Sequence, residues 1–152
     1  MEAKERFAKY NQEHNRLYKE MDDLYHSVAV RCGMSDSAFD ILYSICVLGE
    51  GCTQKEICQV SFVKKQTINS AIQKLEKEGV LRLAHGNGRE VKIFLTREGK
   101  RLLDERVAPV LRQEEAVFAE MSEKDSRELL RLVSGYVSCL RQKLGEIEST
   151  DI

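Results

Sequence analysis

The sequence predicts a mainly α fold carrying one small β-hairpin (α+β), and three observations support it. Apolar residues recur at three- and four-residue steps over most of the chain, as on the buried stripe of a helix. One short stretch, Leu81 to Thr96, switches to a two-residue alternation. Gly86-Asn87-Gly88 sits in the middle of that stretch and supplies the positive φ angles a tight turn requires. With 152 residues and 42% apolar content, the chain can close one ordinary domain around a real core.

The first segment is helical, with Phe7, Tyr10, His14, Leu17, Met21, Leu24 and Val28 forming a heptad-like seam. Tyr18 and Tyr25 widen it on one side. Gly33 is placed as the C-terminal cap. So narrow a stripe on a helix this long predicts a partner helix from a second subunit. His14 reads as a tolerated semi-polar position on that seam rather than a metal ligand.

Ser35 is the N-cap of a second helix whose buried face is Phe39, Leu42, Tyr43, Ile45 and Cys46, stopped by Gly49-Glu50-Gly51. Thr53 then caps a short helix, Gln54 to Val60, that turns Ile57 inward; Thr53 with Glu56 has the capping-box form. After a turn at Ser61-Phe62-Val63 comes a helix over about 64–78. Its Ile68, Ala71, Ile72 and Leu75 share one face, while Gln66, Asn69, Ser70, Gln73 and Lys77 fall on the other. Gly79 stops it.

In the hairpin, Leu81 and Leu83 alternate with Arg82 and Ala84, and Val91, Ile93 and Leu95 with Lys92, Phe94 and Thr96. Thr96 caps the next helix, which carries Leu102, Leu103, Val107, Val110 and Leu111. Pro109 is expected to kink or locally break it, because its ring clashes with the carbonyl of Glu105. Ser122 opens the last helix, with Leu129, Val133, Tyr136, Leu140 and Leu144 as its stripe.

Two short helices, a turn and a two-stranded tongue make a winged helix-turn-helix core. The expected organisation is an N-terminal dimerisation helix over 1–33, a winged DNA-binding domain over 35–99, and C-terminal dimerisation helices over 100–152. Charge agrees with a nucleic-acid-binding centre. Net charge is only −1, yet Thr53 to Arg101 holds eleven Lys/Arg against five Glu, a basic middle between acidic ends. A helix fits the roughly 12 Å major groove, where Gln and Asn pair with adenine edges and Lys with guanine. Lys64 and Lys65, at the positive end of the helix dipole, suit phosphates. The hairpin tip projects Arg89, and a guanidinium is favoured in a narrow minor groove. The predicted DNA-facing residues are Thr53, Gln54, Lys64, Lys65, Gln66, Thr67, Asn69, Ser70, Gln73 and Lys74, with Asn87 and Arg89 on the wing over 80–96. Phe7, Tyr10, Leu17, Met21 and Leu24, with Leu129, Val133, Tyr136 and Leu140, are the predicted dimerisation residues.

Residues Ser35 to Gly99 resemble the winged helix of the MarR-type transcriptional regulators. The matching stretches are "MSDSAFDIL", "CTQKEI", "KKQTINSAIQKLEKEGVL" for the recognition helix, and "GNGREVKIFLTREG" for the wing. The flanking helices, with Pro109 and "MSEKD", resemble that family's dimerisation helices. The resemblance implies a homodimer on a pseudo-palindromic operator, and a repressor released by a small-molecule effector. It also implies an effector cleft between the helical ends and the winged core, with Tyr18, Tyr25 and Tyr43 as lining residues. Two departures stand out. The family's wing carries Asp-x-Arg where this chain reads Asn87-Gly88-Arg89, so the usual Asp–Arg ion pair is unavailable. Ser70 occupies a recognition-helix position where many members carry Arg.

Other chemistry has thinner support. Gly86-x-Gly88 is no phosphate cradle, since no Gly-Lys-Ser/Thr follows. Cys46, Cys52 and Cys58 lack zinc-site spacing, so neither metal nor cofactor is expected. Five irregularly spaced cysteines, a charged N-terminus and the lack of a run long enough to span a bilayer point to a cytoplasmic protein with no membrane partner. No catalytic constellation has a spacing that argues for an enzyme. Two alternatives stay open: a winged-helix module that docks another protein, and the same fold as a thiol- or metal-responsive sensor.

Overall fold

A computed structural model describes residues 3–85 and 90–147. The elements run α1 (Ala3–Arg31), α2 (Asp36–Leu48), β1 (Cys52–Thr53), α3 (Gln54–Val60), α4 (Lys65–Lys77), β2 (Leu81–His85) and β3 (Val91–Leu95). Then follow α5 (Arg97–Leu102), a π-helical turn (Leu103–Val107), α6 (Ala108–Glu120) and α7 (Glu123–Gly145). The chain divides into two compact units, one ending at Val110 and the other beginning at Leu111.

Helix ends in the first unit are set by local chemistry. Gly33 takes φ 69°. There its N–H meets Val30 O at 2.9 Å and the Met34 N–H meets Ala29 O at 3.0 Å, which closes α1 in a Schellman motif. Gly79 does the same for α4, with Val80 N–H on Leu75 O at 2.9 Å. Ser35 caps α2 by accepting from the Ala38 N–H. Thr53 and Glu56 form the full reciprocal capping box of α3.

The core lies under the helix-turn-helix. Ile41, Leu42 and Ile45 of α2, Ile57 of α3, Ile68, Ile72 and Leu75 of α4, Leu81, Ile93 and Leu95 of the sheet, and Val107 of the π turn are all buried. At roughly 1.5–3 kcal/mol for each large apolar side chain, this cluster fixes the winged unit. From α1 only the last turns join it: Ala29 is buried and Val28 packs half-buried, so the long seam ends before Val28.

The sheet has three antiparallel strands in the order β1-β3-β2, one more than the expected hairpin. Cys52 pairs with Ile93 and Thr53 with Lys92. A strand of two residues shows no alternation, so the sequence pattern could not reveal it. Between β2 and β3 the register runs from Leu81 opposite Leu95 to His85 opposite Val91. Phe94 points away from the Ile93–Leu95 face; the Arg82 guanidinium lies 4.8 Å from its ring centre.

Two sites around α5 depend on single residues. Thr96 Oγ donates to Gly79 O at 2.6 Å and to Val80 O at 3.1 Å, and accepts from Gly99 N–H at 3.0 Å. A Cβ on Gly99 would stand 2.1 Å from Val80 O, so only glycine lets α5 start this close to the end of α4. At Pro109 the helix is disturbed without being interrupted, and the disturbance is a widened turn just ahead of the proline. Ala108 N–H bonds Leu103 O, five residues back, and helix continues on both sides. The missing proline N–H and the ring are absorbed by that slack rather than by an interruption.

In the second unit Ser122 caps α7 by accepting from the Asp125 N–H. None of the residues of α7 is buried.

Candidate nucleic-acid interface

The proposed reading surface is built on α4. Its buried stripe, Ile68, Ala71, Ile72 and Leu75, locks one side to the core. At about 100° per residue, Gln66, Ser70 and Gln73 then stand at the centre of the opposite side, and all three are exposed. Asn69 and Lys65 lie on one flank; Thr67 and Lys74 lie on the other. Lys64, the N-cap residue, is exposed, and its ammonium, which can only donate, is left for partners outside the helix. Ser70 is partly committed: its hydroxyl donates to Gln66 O at 3.1 Å.

Thr53 and Gln54 are half-buried where α3 begins. Thr53 is held by its cap, donating from N–H to Glu56 Oε2 at 2.7 Å and from Oγ at 2.8 Å. Those bonds hold the Glu56 carboxyl below the usual carboxylate range, so its charge turns toward Thr53. Gln54 joins Lys55, Cys58 and Lys65 around a hollow of about 360 Å3 between α3 and α4. Lys55 and Cys58 were absent from the predicted face. The signal that marks Cys58 is spacing, since Gln54 and Cys58 are four apart on one helix face.

Lys74 is not at the centre of the surface. It sits 3.9 Å from Glu78 and lines a cleft of about 190 Å3 between the start of α2 and the base of α4. Met34, Ser35, Ala38, Leu42, Leu75, Val80, Leu102 and Arg106 also line it. Arg106 donates to Cys32 O at 2.7 Å, placing a cation at the C-terminus of α1. Neither Tyr18, Tyr25 nor Tyr43 lines this cleft. Tyr18 is exposed and stacked on His14 with ring centres 6.4 Å apart, Tyr25 is exposed, and Tyr43 is half-buried beside Phe39. Asn87 and Arg89 lie outside the described residues.

The nine predicted dimerisation residues are all exposed; the most covered of them, Leu129 and Leu140, are still 42% accessible. The apolar band of α7 is wider than its predicted stripe, because Leu130, Leu132 and Val137 are exposed as well. Cys52 is buried and its thiol is pushed up by burial, with Glu56 adding to the shift, which is the reverse of what a reactive thiolate needs. No helix among the described residues is long and apolar enough to cross a membrane. No cluster of His, Cys, Asp and Glu among them could hold a metal ion.

Comparison with known proteins agrees with this geometry. The sequence profile of the MarR family matches residues 33–89, a stretch that begins at the α1–α2 turn and includes α2, α3, α4 and β2. The uncharacterized HTH-type transcriptional regulator YwoH of Bacillus subtilis (strain 168) is 30% identical over 94 residues, covering 61% of this chain and 68% of YwoH. Among solved structures, the MarR family regulator NMB1585 from Neisseria meningitidis superposes with a TM-score of 0.74 at 19% identity, over 93% of this chain and 97% of that one. The S. aureus MepR–DNA complex superposes with a TM-score of 0.65 at 17% identity, over 86% and 97%. The family profile over the helix-turn-helix, the 30% identity to YwoH over 68% of its length and the shared fold agree, and the chain belongs to the MarR family of winged helix-turn-helix transcriptional regulators.

Proposed function

We propose that this protein is a homodimeric, cytoplasmic repressor that occupies a pseudo-palindromic DNA operator and leaves it when a small-molecule effector binds. The observation that carries the reading is the outward face of α4. Gln66, Thr67, Asn69, Ser70 and Gln73 are exposed amides and hydroxyls, with Lys64 and Lys65 at the leading end. Amides read adenine edges and lysines hold phosphates, so one helix supplies both specificity and grip. The S. aureus MepR–DNA complex supports DNA as the partner.

Lys55 and Gln54 extend the phosphate-binding surface across the hollow to α3, and Asn87 and Arg89 serve the minor groove from the wing. Residues 35–99 form the DNA-binding part. Segments 1–33 and 100–152 carry the apolar faces that a second copy covers, and residues 100–110 are also compact with the winged unit. A two-fold dimer sets its recognition helices about 34 Å apart, one duplex turn. The cleft between α2 and the base of α4 suits the effector, because a ligand there touches the reading helix directly. Tyr18, Tyr25 and Tyr43 stay candidates for effector contacts where the helical ends meet the winged core.

The test is affinity against salt for a duplex selected from a random library. Lys65→Ala should weaken binding to every duplex and lower the salt slope by about 1. Asn69→Ala should cost about 1–3 kcal/mol on the selected site alone. Equal losses on selected and random DNA for both variants contradict these roles. Affinity that does not fall with salt in the parent points instead to a protein-docking module.

A further inference from the structure

The turn between α3 and α4 holds a contrast. Asp40 of α2 is buried, at 8% exposure. Both of its carboxylate oxygens go to this turn: the Ser61 hydroxyl donates to one, and the Phe62 N–H donates to the other at 3.2 Å. Ser61 Oγ in turn accepts from the Val63 N–H at 3.1 Å, and the Ser61 N–H reaches Ile57 O at 2.8 Å. Burying a carboxylate is costly unless donors satisfy it, so these bonds fix the main chain of residues 61–63 firmly. The Phe62 ring, however, is 86% exposed, more than any other large apolar side chain among the described residues. A rigid main chain thus presents an uncovered phenyl group two residues ahead of Lys64, at the leading end of the reading helix.

An aromatic ring has no hydrogen bond to offer a base edge or a phosphate. The apolar group that the major groove presents is the 5-methyl of thymine. Resting on the DNA-binding reading above, we propose that Phe62 is a specificity-determining residue that packs on a thymine methyl, with Asp40 as its positioning residue. The operator should then carry a required thymine in each half-site, just outside the bases read by Gln66 and Asn69.

The full chain is used to enrich duplexes from a fully randomised library. Each thymine of the enriched duplex is then replaced singly by deoxyuridine, which removes only the methyl group. The parent should lose about fourfold in affinity at one position per half-site, the worth of one buried carbon. Phe62→Ala should bind the thymine duplex more weakly and show no loss at that position, while its loss at other bases is unchanged. Asp40→Asn should also lose the thymine-over-uracil preference. A fourfold preference retained in Asp40→Asn, even in a less stable protein, makes Asp40 structural only and overturns its positioning role. Equal thymine-over-uracil preferences in the parent and Phe62→Ala overturn the proposal and leave DNA binding standing. If the parent enriches no sequence at all, the DNA-binding reading falls and this proposal falls with it.

Discussion

Individual residues divide into those the pattern reveals and those only packing reveals. Ser35, Thr53 and Ser122 are legible as caps because a short hydroxyl before an apolar periodic run has one main use, and each accepts the bond expected of it. Gly99 is different. Nothing local demands glycine on the first turn of α5, and the reason lies nineteen positions earlier in sequence, at the Val80 carbonyl. Gly99→Ala should therefore destabilise the protein by about 1–3 kcal/mol, lowering Tm by several degrees. An unchanged melting curve would show that the α4 end and α5 can part at little cost. Lys55 escaped the sequence reading for a related cause: its neighbour across the hollow, Lys65, is near only once α3 and α4 are packed. Placement of Tyr18 and Tyr25 relative to any cleft was likewise illegible, since stripe membership does not say which neighbour covers a side chain.

At the scale of elements, long periodic segments were legible and short or irregular ones were not. The reading helix, the wing strands and both long flanking helices follow from period alone. The strand Cys52–Thr53 exists because Gly51 N–H reaches Ile93 O at 2.8 Å, a tertiary bond with no periodic signature. The π turn before Pro109 was also out of reach, because a proline announces a disturbance and not which form it takes. The capping box of α3 yields a pH prediction. Glu56 is ionised more readily in the folded chain because Thr53 donates to it, from N–H and then hydroxyl, with Lys92 assisting. A depressed carboxylate gives stability that is present above the unfolded value, about 4.3, and is lost as pH falls through the lower folded value. Denaturant midpoints should thus separate parent from Glu56→Gln most at neutral pH, with the gap closing in acid. A gap that stays constant through that range would show that the box acts without the Glu56 charge.

For the whole molecule, the fold of the winged unit was legible because its core is drawn from α2 to the π turn, with only the end of α1 added. What covers the long apolar faces was legible only as a demand, since the chain leaves Leu17 and Leu24 at 49% and 60% exposure. Leu17→Glu with Leu24→Glu puts charge on the proposed subunit interface and should give monomers or unfolded chains without operator affinity. Sedimentation together with binding decides it: a folded monomer that binds operator as tightly as the parent removes the dimer from the mechanism. The division of α4 has a consequence of another kind. Ile68, Ala71, Ile72 and Leu75 serve the core, Gln66, Asn69 and Gln73 face solvent, and the two sets share no side chain. On the proposed DNA-reading role of α4, recognition can therefore drift while the scaffold stays put. Randomising Gln66, Asn69 and Gln73 together should return clones that melt like the parent but select different DNA sequences, so a duplicated copy of this gene could acquire a new regulon through three outward positions alone.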